Sequence, residues 1–125
     1  MSQGLYLLDI SFVSTNDLST TGQYLLAKAD STEGAIVLAT AATDHILGVV
    51  QNKPKATEAA RVRVLGTSKV VAGGTVTFGD WVTANGSSQA ITTTSDHNNV
   101  IGLALASAVV NDIFEIMLVH FTLSA

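Results

Sequence analysis

One short motif occurs twice in the chain, and this repeat restricts the fold more than any other feature. Residues 43–48 (TDHILG) and 95–102 (SDHNNVIG) both run from a hydroxyl residue through Asp and His to aliphatic residues and a glycine. From each glycine, 14 residues lead to an apolar, strand-like segment, at Val62 after Gly48 and at Ile116 after Gly102. A repeat architecture built from stacked units needs at least three copies. Two copies therefore predict a single domain with pseudo-twofold internal duplication.

The segments between turn residues have the composition of β-strands. Runs rich in Thr, Val and Ile end in Gly, Asn, Asp or Ser at intervals of roughly 8–12 residues, as in sandwiches and barrels. Asn85-Gly86 lies between two such runs and predicts a hairpin with a type I′ turn. We expect an all-β protein, a small β-barrel or β-sandwich of β-tulip-like form, and the duplication favours a closed or nearly closed barrel. The two motif glycines are interpreted as matching turns of two half-barrels.

The predicted organisation has an extended N-terminal arm at residues 1–19 and one β domain at residues 20–125. Half-repeats occupy about residues 20–66 and 77–121 of that domain. The arm has strand character, so it can add to the sheet edge of a partner or pair within its own barrel. Its candidate contact residues with a partner or a neighbouring subunit are Leu5, Tyr6, Leu7, Leu8, Ile10 and Phe12.

The chain is more apolar than a small soluble monomer requires. Charged residues make up 13%, against about 25% in typical domains, and the mean hydropathy is +0.41. No apolar run approaches the roughly 20 residues of a spanning helix, and the N-terminus lacks a basic signal-peptide region. A net charge of −4 with two small basic clusters argues against nucleic acid as a partner. Burial of apolar surface between subunits is the remaining explanation for the apolar composition, so we expect an oligomer.

The C-terminal strand is apolar on both of its faces. Such a strand must be covered on both sides, either within the chain or by another subunit. Arg61 and Arg63 also share one face of an earlier strand, where they can pair with acidic groups of a neighbouring subunit or face solvent. The predicted subunit-interface residues are Phe114, Ile116, Leu118, His120, Arg61 and Arg63.

The repeated Asp-His pairs are the first candidates for chemistry. Imidazole and carboxylate groups bind zinc, but adjacent residues of a strand point to opposite faces, so Asp44 and His45 cannot easily reach one ion. A turn in which the Asp accepts backbone N–H groups is the favoured interpretation. No Gly-x-Ser-x-Gly motif is present, and we predict no enzyme, no metal and no cofactor. Tyr24 and Trp81 occupy equivalent positions and are expected to anchor the two half-cores, with sugar stacking at Trp81 as the alternative.

Two segments carry a resemblance to a known family. Residues 70–86 (VVAGGTVTFGDWVTANG), followed by residues 101–105 (IGLAL) and an apolar last strand, resemble the central signature of small capsid decoration (cement) proteins of tailed bacteriophages. The resemblance covers about residues 20–121.

The resemblance implies a structural virion protein, assembled in the host cytoplasm and placed on the capsid exterior. Its partners would be the major capsid protein and itself, as a homotrimer, with no nucleic acid and no membrane. It would clamp neighbouring capsid subunits after assembly and stabilise the capsid. The alternative is a carbohydrate-binding or adhesin-type β module of a virion tail or baseplate.

Overall fold

A computed structural model describes residues 7–124 and shows an all-β protein, which confirms the predicted fold class. Over this range no helix has the length and apolar character that crossing a membrane requires. The strands are β1 Leu8–Ser14, β2 Leu26–Ala29, β3 Ala35–Leu38, β4 Ile46–Val50, β5 Ala59–Leu65, β6 Thr67–Val71, β7 Trp81–Ala84, β8 Ala90–Thr92, β9 Asn99–Ala104 and β10 Ile113–Thr122.

The sequence repeat corresponds to a repeat of strand topology. The first copy is a closed barrel in the order β1-β3-β2-β4-β5, and the second is a sheet in the order β6-β10-β9-β7-β8. Matching β1–β5 to β6–β10 in chain order, every neighbour pair of the second sheet has its equivalent in the barrel. The parallel contact that closes the barrel, Val13 with Ala35, corresponds to a single parallel bridge between Ala72 and Ala90. The second copy is therefore a nearly closed version of the first.

The two copies share part of their core. One buried cluster joins Leu26, Ile46 and Val49 of the barrel to Ile101 and other residues of the second sheet. A smaller cluster fills the barrel itself and includes Ile36 and Val62. Alternation along the strands places these side chains inward. Tyr24 packs against the shared cluster, as expected for an anchoring aromatic residue.

The two motif glycines lie inside strands, so their interpretation as turns is wrong. Gly48 is in β4 and Gly102 is in β9. A Cβ atom on Gly48 would lie 2.0 Å from the carbonyl oxygen of Arg63, and one on Gly102 would lie 2.8 Å from that of Met117. Each glycine therefore marks a close approach of neighbouring backbones, which is the other common reason for glycine within a strand.

The hairpin between β7 and β8 is present, but its turn differs from the predicted type I′. Residues 85–89 separate the strands, and the left-handed residue is Ser88, with φ at 64°, whereas Gly86 is not in that region. The Asn85 side-chain oxygen accepts hydrogen bonds of 2.9 Å from the N–H groups of Ser87 and Gln89. Asn85 therefore stabilises a longer loop through its side chain, which a two-residue interpretation of Asn-Gly does not anticipate.

Candidate functional site

The described part of the predicted arm is a strand of the chain's own barrel. β1 is antiparallel to β5 from Leu8 to Val13 and parallel to β3 at Val13 and Ser14. Of the predicted contact residues, Phe12 packs against the barrel core, Leu7 precedes the strand, and Leu8 and Ile10 are exposed. Leu5 and Tyr6 lie outside the described residues. The structure thus favours intramolecular pairing for this strand over an arm that extends away.

Arg61 and Arg63 both contact an acidic residue of their own chain, Asp9, which occupies the fork of Arg63 and leaves Arg61 exposed. Arg63 Nε donates to Asp9 Oδ1 at 2.7 Å and Nη2 donates to Oδ2 at 3.1 Å. Arg61 Nε lies 3.2 Å from Asp9 Oδ2. The hydrogen bond from Arg63 is the main cause that holds the pKa of Asp9 below its ordinary value of 3.8. This cluster ties β1 to β5 on the outside of the barrel.

The last strand buries the face that the sequence analysis assigned to a subunit interface. Phe114, Ile116 and Leu118 lie in the chain's own core, so they are unavailable to a neighbour, and this assignment is corrected. The exposed face is the opposite one, where Ile113 is 57% and Met117 is 43% exposed. Both faces are equally apolar in sequence, and strand alternation alone cannot say which of them points inward.

His120, the remaining predicted interface residue, is exposed near the end of β10. Its Nε2 lies 2.9 Å from the carbonyl oxygen of Leu47. This contact links the last strand to β4 of the barrel.

A contiguous apolar surface covers the outside of the second sheet. Met117 of β10 and Trp81 of β7 both pair in register with Leu103 of β9, so the three side chains share one face. Trp81 contacts Phe121 edge to face, with ring centres 4.9 Å apart. We call Ile113, Met117, Leu103, Trp81 and Phe121 the outer sheet face, in which Glu115 and its register partner Lys69 lie between Ile113 and Met117. The position of Trp81 on this surface contradicts its expected role as a core anchor.

Two loops at one end of the second sheet display further apolar side chains. Loops 72–80 and 105–112 are joined by reciprocal 2.9 Å hydrogen bonds between Val76 and Ala108. They expose Phe78, at 67%, with Val109 and Val110. The sequence analysis missed these residues, although a Phe and a Val-Val pair flanked by turn residues are an unusual use of apolar side chains in loops.

The Asp-His pairs act within turns. Asp44 accepts hydrogen bonds from the N–H groups of Thr40 and Ala41, at 3.0 and 3.1 Å, as the turn interpretation predicted. In the second copy Asp96 Oδ2 lies 3.1 Å from His97 Nδ1. Nowhere in residues 7–124 do three His, Asp or Glu side chains gather as a metal site would require.

Comparison with known proteins assigns a family. A family model described as phage cement protein matches residues 18–118. The fold is similar to that in the crystal structure of the head fiber gp8.5 N base of bacteriophage phi29, with a TM-score of 0.71 and 16% identity over 95% of this chain and 99% of that one. No curated protein matches the chain. Since the family model spans most of the sequence, the chain belongs to the phage cement protein family, a family of capsid-associated structural proteins.

Proposed function

We propose that the protein binds the outer surface of the assembled capsid as a homotrimer and holds neighbouring major capsid subunits together. Family membership supplies the association with the capsid. The exterior position, the clamping action and the trimer are the parts that we add. They require the chain to offer separate surfaces for its own copies and for the capsid.

The outer sheet face is the observation that carries this proposal. A typical monomer exposes apolar side chains singly, and a contiguous apolar patch marks an interaction site. Here Met117, Leu103 and Trp81 are adjacent across three strands, and Phe121 extends the row. The centre of this face, formed by Met117, Leu103 and Trp81, has no charged side chain, whereas Glu115 and Lys69 pair in register beside it toward Ile113. Depletion of charged residues is typical of the centre of protein interfaces. Burial of this face between sister subunits accounts for the apolar excess of the sequence.

The first copy of the repeat offers a different surface, which suits a different partner. Its equivalent strand β5 exposes Arg61 and holds Arg63 against Asp9, so this side of the molecule carries a charged cluster. Polar rims set orientation and association rate more than affinity. A clamp that associates through one copy and meets the capsid through the other fits this division.

The oligomeric state is tested by analytical ultracentrifugation of the purified protein with Met117→Glu as the variant. A charge on the outer sheet face should convert trimers to monomers, because an unpaired buried charge is costly at an interface. Thr94→Glu, in an exposed loop, is the matched control and should leave the trimer intact. A wild-type protein that is monomeric at micromolar concentration would refute the trimer.

Binding to the capsid is tested by mixing the protein with undecorated capsids and imaging them by electron microscopy. We expect added density at symmetric positions on the outside, and raised resistance of the capsid to heating. If the images show no added density, the proposed function fails. Density without any gain in heat resistance would retain binding and refute clamping.

A carbohydrate-binding role is the second candidate, and the exposed Trp81–Phe121 pair is the observation that favours it. Aromatic side chains stack on sugar rings. A glycan array separates the two functions, because only the sugar-binding role predicts signals that disappear in Trp81→Ala.

A further inference from the structure

The first half of β1 is paired on one side only. On the β5 side its partners run from Leu8 to Val13, whereas on the β3 side the register includes only Val13 and Ser14. β3 begins at Ala35, opposite Val13, and the chain before it is the exposed turn 31–34. Within the described chain, β1 therefore has no strand neighbour on this side before Val13.

The hydrogen bonds show which main-chain groups face this free edge. Val13 N–H donates toward β3, to Gly34, and Ser14 N–H donates toward the β5 side, to Glu58. Successive residues of a strand direct their N–H and C=O groups to opposite edges. Asp9 and Ser11 therefore direct their N–H and C=O groups to the edge that β3 leaves open. Such an edge is a template for another strand.

Apolar side chains accompany the free edge. Ile10 lies on the same face of β1 as Phe12, which packs against the barrel core, and pairs in register with the buried Val62. It remains 40% exposed, and Leu8, which precedes a register irregularity at Asp9, is 47% exposed. Within the described chain, no strand lies beside β1 on the β3 side before Val13, so no strand in register covers Leu8 and Ile10. A strand added at the edge would place side chains against them.

The charge beside the edge selects the partner. Arg61 and Arg63 face one carboxylate, that of Asp9, which leaves a net charge of +1 in the cluster. The Arg61 side chain is 55% exposed and contacts Asp9 through Nε. Within residues 7–124 it makes no other polar contact. A free guanidinium fork is suited to a second carboxylate.

We propose that the free edge of β1 receives an extended acidic segment of the major capsid protein by strand addition. Main-chain hydrogen bonds to Asp9 and Ser11 hold the segment, apolar side chains cover Leu8 and Ile10, and Arg61 binds a carboxylate. Affinity in this mode comes from the main chain and specificity from alternate side chains. The proposal rests on the proposed function, since it names the surface that meets the capsid.

Ser11→Pro tests the edge. Proline removes the N–H that faces the open side, and proline is tolerated on edge strands where that N–H faces solvent. Ser11→Ala is the matched control because it removes the hydroxyl and keeps the N–H. We expect Ser11→Pro to bind undecorated capsids about tenfold more weakly. Its melting temperature should stay close to that of wild type, and Ser11→Ala should bind as wild type does.

A second pair of variants and one measurement keep the test decisive if Ser11→Pro folds poorly. Arg61→Glu should weaken binding more than Arg61→Gln, and the difference should shrink at high salt because charge interactions are screened. In wild type, hydrogen exchange of residues 8–13 should slow when capsids are added.

The outcomes separate the two proposals. If wild type binds no capsid, the proposed function fails. If wild type binds and neither Ser11→Pro nor Arg61→Glu weakens binding, or exchange of residues 8–13 is unchanged, the free edge is not the contact surface. Protection of residues 8–13 that rises with the concentration of free protein, without capsids, would assign the edge to a second copy and overturn the capsid segment.

Discussion

Replacement of the two motif glycines by alanine should have unequal effects, although the sequence places them at equivalent positions. At Gly48 the new Cβ would meet the carbonyl oxygen of Arg63 at 2.0 Å, which is 1.4 Å short of the 3.4 Å where ordinary contact begins. That oxygen belongs to the backbone of β5, so relief requires β4 and β5 to separate. At Gly102 the nearest atoms are Ile116 Cδ1, which can rotate away, and the backbone oxygen of Met117, both at 2.8 Å, so the backbone must yield by only 0.6 Å to reach 3.4 Å.

The magnitudes follow from what must move. Overpacking of a core costs about 1–3 kcal/mol when side chains adjust, and we expect about 2 kcal/mol for Gly102→Ala. Gly48→Ala adds the weakening of the β4–β5 pairing, in which Val49 and Val50 are in register with Arg63 and Val62. The overpacking cost of about 2 kcal/mol, together with about 1 kcal/mol for each of about two lost hydrogen bonds, gives a total of about 4 kcal/mol for Gly48→Ala. This is a large part of the 5–15 kcal/mol that stabilises a typical domain.

Thermal and urea unfolding measure the difference. One kcal/mol corresponds to roughly 3–5 °C for a domain of this size, so Gly48→Ala should lower the melting temperature by about 15 °C and Gly102→Ala by about 8 °C. Gly86→Ala is the control, because its Cβ would meet no atom within 4 Å and its φ lies outside the left-handed region. Equal losses at Gly48 and Gly102, or a larger loss at Gly102, would refute the argument from backbone approach.

Three further predictions concern single side chains and use the same unfolding measurements. Arg63→Gln should lower the free energy of unfolding by about 1 kcal/mol, because it breaks the paired hydrogen bonds to Asp9. An unchanged free energy of unfolding would show that these hydrogen bonds do not stabilise the fold. Because the pKa of Asp9 is lowered in the folded state, its carboxylate stabilises the protein above pH 3.8, and the stability gap between wild type and Asp9→Asn should close as the pH falls below that value. Ile116→Ala should cost about 3 kcal/mol and Met117→Ala less than about 1 kcal/mol, since the first side chain is buried and the second is exposed; the reverse order would contradict the assignment of faces.

The repeat predicted the topology well because it reports on backbone geometry. Glycines that admit a neighbouring strand and aliphatic runs of strand length are local properties, and they recur wherever the same pairing recurs. The matched strand orders of the two sheets are the result. The same local logic predicted that Asp44 caps a turn, since an Asp side chain reaches nearby N–H groups without help from the rest of the fold.

The surfaces could not be predicted, because they depend on which face of a strand the fold turns inward. The residues of β10 alternate between two apolar sets, and only packing against the shared core shows that Ile116 points in and Met117 points out. The sequence also does not indicate that Asp9 is the partner of Arg63, because Asp9 lies 54 residues away, in a segment interpreted as an arm. Long-range pairing of this kind leaves no periodic signal in the sequence.

The divergence between the copies appears most sharply at one pair of equivalent positions. Arg63 in β5 and Met117 in β10 both lie on the outer faces, each opposite a residue of the strand that opens its copy, Asp9 and Thr67. In the first copy the pair is an ion pair, and in the second copy the Met117 side chain is exposed. One backbone thus presents a charged, water-compatible side and an apolar side. The proposed function, which assigns one surface to sister subunits and another to the capsid, requires such a difference between the two copies.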